Sequence, residues 1–278
     1  MSRRSRASVI LQWVLLLALL AVALWRGHHL IERGSHPPPP TPRPRPREIA
    51  VVITVEGLAA GDLDALAAAL EERGWTACSA LLPESEPAAA LRRAVRDSGA
   101  APLHLRVASR DRADPVLPGE ITLRHAEAPE AVLEARRILD RAGPPPPAVW
   151  LELRDLAIPP PRLRAARRDL RWRGLTLPSR PVLRRWLRAP AGEPENAGLL
   201  LGALHRRGLE NLRRGVSALL SGGHRWLPSV VVLLAAGGTG NAGTPALAAR
   251  PGPVPPPCPS LEEVAAVLTG QKTWPSPR

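Results

Sequence analysis

The sequence predicts an α/β protein of six to seven mostly parallel strands, closed or partly closed into a (β/α) barrel, with an open doubly wound sheet as the alternative. Three observations carry this. Apolar runs of strand length recur between residues 48 and 236 and alternate with stretches at helical spacing. Glycine or proline closes the units, as at Gly74, Pro83, Gly99 and Gly143. Repeated strand–helix units of this length join parallel strands through right-handed crossovers.

The chain opens differently. Residues 1–8 carry three arginines, and Val9–Trp25 is then apolar except for Gln12. A helix there would span roughly 25 Å at ~1.5 Å per residue, near the lower limit for a bilayer. Ala21-Val22-Ala23 also fits a signal-peptide cleavage site, but the apolar run continues past it to Trp25, which favours an uncleaved signal anchor. Arg3, Arg4 and Arg6 outweigh Arg26 and Arg33, so the expected topology is a cytoplasmic amino terminus and an extracytoplasmic domain, periplasmic or extracellular. Residues 36–47, HPPPPTPRPRPR, form neither helix nor sheet and read as a polyproline II stalk, roughly 35 Å long at ~3.1 Å per residue.

The domain starts with IAVVITVEG at 49–57, a buried strand feeding a turn. A helix follows over 62–73, with Leu63, Leu66 and Leu70 on one face. Next come a strand at 76–82, a helix at 86–98 and a strand at 101–107. A helix at 127–142 puts Leu133, Ile138 and Leu139 inward, and four prolines lead to a strand at 148–153. A helix at 161–172 and a strand at 174–177 are expected, then a short helix, a strand near 197–201 and a helix over 203–213. A strand at 215–220 and a helix at 228–236 close the domain. Residues 237–259 are rich in Gly, Ala and Pro and read as disordered. Ser260 and Glu263 make a capping box for a short helix at 260–269 within the 237–278 tail, either docked or free.

Composition narrows the function. The chain has no Phe and no Tyr, so Leu, Val, Ile, Ala and eight Trp must fill the core. Lys272 is the only lysine among 38 basic residues. Arg, Ala, Gly, Pro and Trp share GC-rich codons, so the net charge of +13 reads as an arginine bias spread over most helices. No specific nucleic-acid partner is expected from it. Cys78 falls in a strand and Cys258 in a proline-rich tail; cysteines so differently placed are more often unpaired, although an oxidising compartment would allow a disulfide.

There is no Walker loop, no GxGxxG after an expected strand, no HExxH, no GxSxG and no paired CxxC. The candidates for chemistry come from expected strand ends: Glu56, His104, Arg154 with Asp155, Ser179 with Arg180, and His224. All would share the carboxyl rim. Two histidines and an acid there could ligate Zn²⁺ or another divalent metal with an open position for water. The bland alternatives are a core histidine at 104, a loop histidine at 224 and a helix-start acid at 56.

The order of segments resembles the divergent polysaccharide deacetylases, a branch of the NodB-like carbohydrate esterases with a seven-stranded β/α barrel. That family opens with a strand of the form IAIVIDDLG, and this chain has IAVVITVEG at 49–57. A strand ending in Leu-Pro matches TACSALLP at 76–83, and a stretch like LLHLPM matches Pro102 to Val107. The family's NNHMGS strand end falls at Glu152 to Ala157, its GLFFLDSRT at Gly174 to Pro181, and its RRG…AIGHP…T segment at Arg213 to Val230, which keeps Gly223-His224. The departures are as telling. The two aspartates after the first strand become Thr54 and Val55, the histidine of Asn-Asn-His becomes Arg154, and the aspartate of Leu-Asp-Ser becomes Pro178. His104, Ser179, Arg180 and His224 survive in place, and Glu152 or Asp155 could stand in for the lost acids.

The resemblance implies a membrane-held domain that acts on or binds a cell-envelope polysaccharide. Metal-assisted deacetylation needs a cation ligand set and a carboxylate base, and an arginine where a ligand histidine belongs weakens both. The expectation is therefore glycan binding with weakened or lost turnover, with Arg154, Ser179 and Arg180 contacting sugar. Were the domain active, Glu56 would be the base and His104 and His224 the ligands or acid, in hydrolysis of an acetyl group. The competing expectation is a non-enzymatic envelope scaffold that works through its stalk and tail.

Overall fold

The computed structural model describes residues 16–25, 46–108, 116–124, 127–141, 143, 146, 148–154, 156, 195–223, 225–236 and 243–274. The chain divides into two compact units, Met1–Arg45 and Pro46–Arg278. In the first, residues 16–25 are helical (α1), with Leu16, Leu17, Leu19, Leu20, Val22, Leu24 and Trp25 exposed. Among the described residues no helix is long and apolar enough to cross a membrane. The start of the expected anchor Val9–Trp25, the expected stalk up to residue 45, the helix at 161–172 and the strand at 174–177 lie outside the described residues, while Arg47, expected to end the stalk, is the first residue of a strand.

The second unit is a mixed α/β domain. Its elements are β1 (Arg47–Val55), α2 (Ala60–Glu71), β2 (Trp75–Leu82), α3 (Pro87–Ser98), β3 (Leu103–Ala108) and β4 (Ile121–Arg124), then α4 (Ala128–Arg141), β5 (Ala148–Leu153), α5 (Glu195–Leu220), β6 (Trp226–Ala235), β7 (Thr244–Pro251) and α6 (Leu261–Leu268). The seven strands form one sheet in the order β2-β7-β6-β1-β5-β3-β4. β1 pairs in parallel with β5 and β6, and β3 with β4 and β5. Among the described strands, β7 alone runs antiparallel to the rest, pairing with β6 and β2.

Alternation along β1 explains how the sheet is covered. Ile49, Val51, Ile53 and Val55 join the core under α2, α4 and α5, which contributes Leu63, Leu66, Ala131, Leu139, Leu212 and Leu219. Ala50 and Val52 face the other way, onto Leu91 and Val95 of α3, Val264 and Val267 of α6, and Trp274. The crossovers β1→β2, β4→β5 and β5→β6 all step toward the β2 edge with their helices on the first face. The step β2→β3 goes back across the sheet with α3 on the second. A single crossover hand requires that reversal of face. A barrel wound in sequence would pair β1 with β2, whereas here β2 and β4 are the edges among the described residues and helices cover both faces.

Five expectations are corrected. Leu133, expected inward on α4, is 60% exposed, and Ala131, Val132, Ala135 and Leu139 form the buried face. The strands near 197–201 and at 215–220 are parts of the 26-residue helix α5. Its buried Leu200, Ala203, Leu204, Leu212, Val216 and Leu219 follow helical spacing, but Gly202, Gly208 and Gly215 look like breaks in the sequence. Gly208 and Gly215 instead allow close approach: a Cβ on Gly208 would lie 2.3 Å from the Leu156 carbonyl oxygen. The helix at 228–236 is strand β6, where Val230 to Ala235 are buried on both faces, so the run has no period to read. Pro228 is tolerated there because the register with β1 shifts at Ile49/Ala50, a bulge across which the Ser229 hydroxyl donates to the Ile49 carbonyl at 3.2 Å.

The segment expected to be disordered contains β7. Ala246, Leu247, Ala248 and Ala249 are weak strand formers, but all are fully buried between β6 and β2. Finally, Cys78 and Cys258 are joined in a disulfide, with Cα atoms 5.0 Å apart. β2 and the tail meet only in the folded chain, so no sequence spacing announces the pair. The N-cap half of the expected capping box forms at α6: the Glu263 N–H donates to Ser260 Oγ at 3.2 Å, and the Ser260 hydroxyl donates to the Glu263 carboxylate at 3.1 Å.

Candidate functional site

Parallel pairing assembles the most polar part of the interior. β3 reads LHLRVA and β5 reads AVWLEL, each with alternate residues on the α3 face. Register sets His104 beside Trp150, and Glu152 between Arg106 and Thr54. The imidazole stacks on the indole with centroids 4.1 Å apart and planes 11° off parallel. Trp150 Nε1–H donates to Thr54 Oγ1 at 3.2 Å, so the indole is held at its polar edge.

Two further groups close the site. Arg92 comes from α3, and Glu120 from the turn before β4. The Glu120 carboxylate is fully buried and pinned locally: it accepts the Leu117 N–H at 3.1 Å while its own N–H donates to the Leu117 carbonyl at 3.0 Å. Arg92 donates directly to Glu152 Oε2 and lies 3.6 Å from Glu120 Oε2. Arg106 lies 3.7 Å from Glu120 Oε1 and 3.8 Å from Glu152 Oε1. His104 sits between the acids, with Nε2 3.2 Å from Glu152 Oε2 and Nδ1 3.6 Å from Glu120 Oε2.

Two guanidinium ions thus balance two carboxylates around one imidazole. Charges taken out of water need this mutual compensation, because each alone would carry a desolvation penalty of several kcal/mol. Burial pushes the Glu152 carboxyl up, but the hydrogen bond with His104 and the charge and hydrogen bond of Arg92 outweigh it and hold the group below the usual glutamate range.

This arrangement limits the chemistry. His104 is only 2% exposed, and both its ring nitrogens face carboxylates already engaged by arginine. Among the described residues, no three His, Cys, Asp or Glu side chains are placed to hold a metal ion. The guanidinium groups of Arg92 and Arg106 occupy the positions opposite the carboxylates that a cation would need.

The expected rim does not form as one group. His104 is the second residue of β3 and lies inside the sheet, not at its carboxyl end. Glu56 and Arg154 do flank the carboxyl ends of β1 and β5, where the Glu56 N–H donates to the Leu153 carbonyl at 3.4 Å. Ser179, Arg180, Asp155 and His224 lie outside the described residues. The rim position of His224 depended on a strand at 215–220, which is helix. Its neighbours Gly223 and Arg225 stand at the amino end of β6. Gly222 has φ +60°, and a Cβ on Gly223 would lie 2.4 Å from Trp226 Nε1, so both glycines have a structural reason to be there.

Sequence reasoning missed Arg92, Arg106 and Glu120 and gave Glu152 only a substitute's part. The available signal was polar residues at equal parity in two otherwise apolar strands, His104 and Arg106 in one and Glu152 in the other. It also missed a second pair, His205 Nε2 of α5 with Asp62 Oδ2 of α2 at 2.9 Å, near the carboxyl end of β1. Asp62 is held there by accepting the Ala59 N–H at 2.9 Å. No protein-family model and no characterised protein matches this chain.

Proposed function

We propose that the chain is a membrane-tethered, extracytoplasmic binding protein for an acidic or acetylated cell-envelope polysaccharide, and that it does not turn its ligand over by metal catalysis. The observation that carries the second part is the enclosure of His104 by Glu120, Glu152, Arg92 and Arg106. A histidine enclosed in this way offers no open ligand position for zinc and its water. Arginines in such a site do electrostatically what a cation would do, without its Lewis acidity.

Location rests on three supports. The apolar run Val9–Trp25 and the proline stalk are sequence features. The Cys78–Cys258 disulfide favours an oxidising compartment. The likeness to divergent polysaccharide deacetylases stays part of this reading at the level of segment order and of a seven-stranded, mostly parallel sheet among the described residues. Glycan contacts then fall to groups at the carboxyl edge, Arg154 first, with Ser179 and Arg180 as the resemblance implies. The scaffold reading loses ground, because the tail it would use supplies β7 to the sheet and α6 to the core.

The test uses the full chain in detergent. Metal content is measured after exposure to zinc, and retention is measured on a uronic-acid polysaccharide matrix at increasing salt. The expected outcome is no stoichiometric zinc, with retention that Arg154→Ala weakens several-fold. Stoichiometric zinc lost in both His104→Ala and His224→Ala would overturn the reading in favour of a metal-dependent deacetylase. No retention on the glycan would overturn the binding assignment.

A further inference from the structure

The segment from Gly252 to Trp274 adds no strand to the sheet, yet it covers much of the α3 face. It leaves β7 at Pro251, opposite Trp75 of the edge strand β2. It then runs through Pro253, Pro255, Pro256, Pro257 and Pro259 before α6 begins at Leu261. Proline removes backbone donors, so this strap cannot knit itself to the sheet by a hydrogen-bond ladder. Three devices hold it instead. The Thr76 hydroxyl lies 3.1 Å from the Gly252 carbonyl and 2.9 Å from the Val254 carbonyl, and its single hydrogen serves one at a time. The Cys78–Cys258 disulfide ties its far end to β2. Beyond it, Val264, Val267, Leu268 and Trp274 pack with Val52, Trp150, Val230 and Val232.

The reach of that disulfide decides what it does. By sequence it closes a separation of 180 residues. In the folded domain, however, β2 and β7 are already paired from Trp75↔Pro251 to Leu82↔Thr244. With that pairing intact the bond constrains only the strap after Pro251. α6 has eight residues, well below the roughly 12–15 that an isolated helix needs in water. Once the strap is loose, α6 keeps its helix only while its apolar face stays docked. Cys258 is exposed and Cys78 half-buried, so the bond is open to attack from solvent.

We propose that Cys78–Cys258 is a redox latch. Closed, it holds the strap and α6 over the sheet face that carries Trp150, His104 and Glu152. A dithiol reductant opens it. One thiolate attacks a sulfur of the pair to give a mixed disulfide, and the second thiolate resolves that. The reductant leaves as its own disulfide, and Cys78 and Cys258 take up two electrons and two protons as thiols. The strap and α6 then detach as a unit while the sheet and the helices of its other face stay folded, which is local opening of the least stable element. The inference is independent of the glycan assignment.

Hydrogen–deuterium exchange on the full chain in detergent tests it, comparing oxidised protein, protein treated with a phosphine reductant, and the Cys258→Ser variant. Amides of 261–268 are expected to exchange about tenfold or more faster in both the reduced protein and the variant. Amides of 131–139 and 209–219 are expected to keep their protection. Unchanged protection of 261–268 would show that apolar docking alone holds α6 and would end the proposal. Loss of protection everywhere would make the bond a global staple and would equally end it. Reductant that still accelerates exchange of 261–268 in Cys258→Ser would place the effect elsewhere.

Discussion

Replacing Glu152 by alanine removes the carboxylate that Arg92, His104 and Arg106 share. The two arginines keep side-chain exposures of only 9% and 10%, so they cannot recover water without moving. Glu120 is left to face both guanidinium groups and the imidazole. Breaking a buried ion pair by removing one partner costs about 3–5 kcal/mol. For a domain of this size about 2–4 °C is lost per kcal/mol, so the midpoint should fall by about 6–20 °C. Glu152→Gln keeps an acceptor for Arg92 and removes the charge, and should cost less, about 1–3 kcal/mol. The assays are a thermal melt for the midpoint and urea unfolding followed by tryptophan fluorescence for the free energy, the latter repeated from pH 8 to pH 3.

The pH series carries the sign. Glu152 titrates below its ordinary range in the folded protein. Its stabilisation is therefore fully present above the ordinary glutamate value of about 4.3 and fades as pH falls through that value toward the folded one. The stability gap between wild type and Glu152→Gln should narrow below about pH 4. A gap that stays constant to pH 3, or an alanine variant within about 0.5 kcal/mol of wild type, would refute an ionised, paired Glu152.

Three glycine substitutions probe the helix α5 and the packing around the same sheet. Gly208→Ala would push a Cβ to 2.3 Å from the Leu156 carbonyl oxygen, a backbone atom, and should destabilise by about 1–3 kcal/mol. Gly198→Ala in the same helix meets nothing within 4 Å and should stabilise by up to about 1 kcal/mol, so opposite signs in thermal melts are the check. Gly223→Ala would set a Cβ 2.4 Å from Trp226 Nε1 and 2.7 Å from Asp140 Oδ1, across their 3.0 Å hydrogen bond. It should cost about 2 kcal/mol and change the near-ultraviolet signal of Trp226, readable by circular dichroism.

Local pattern by itself determined most of the first half of the domain, with β4 at Ile121–Arg124 unread. IAVVITV alternates so that each face of β1 meets an apolar layer, and Leu63, Leu66 and Leu70 recur at helical spacing, so both elements were legible. Gly74 and Gly99 take positive φ where turns were expected. Tertiary structure decided the second half. Val230 to Ala235 are buried on both faces, Ala246 to Ala249 gain strand structure only by lying between two other strands, and Gly208 and Gly215 of α5 admit neighbouring backbone. The site divides in the same way. His104 stood out as a lone polar residue in an apolar strand, but its meaning came from register with Glu152 and from Arg92 and Glu120, which are distant in sequence. A period reports which face a residue takes. Which charges meet across that face is set by strand order, because it brings side chains from separate segments within a few ångströms and out of water.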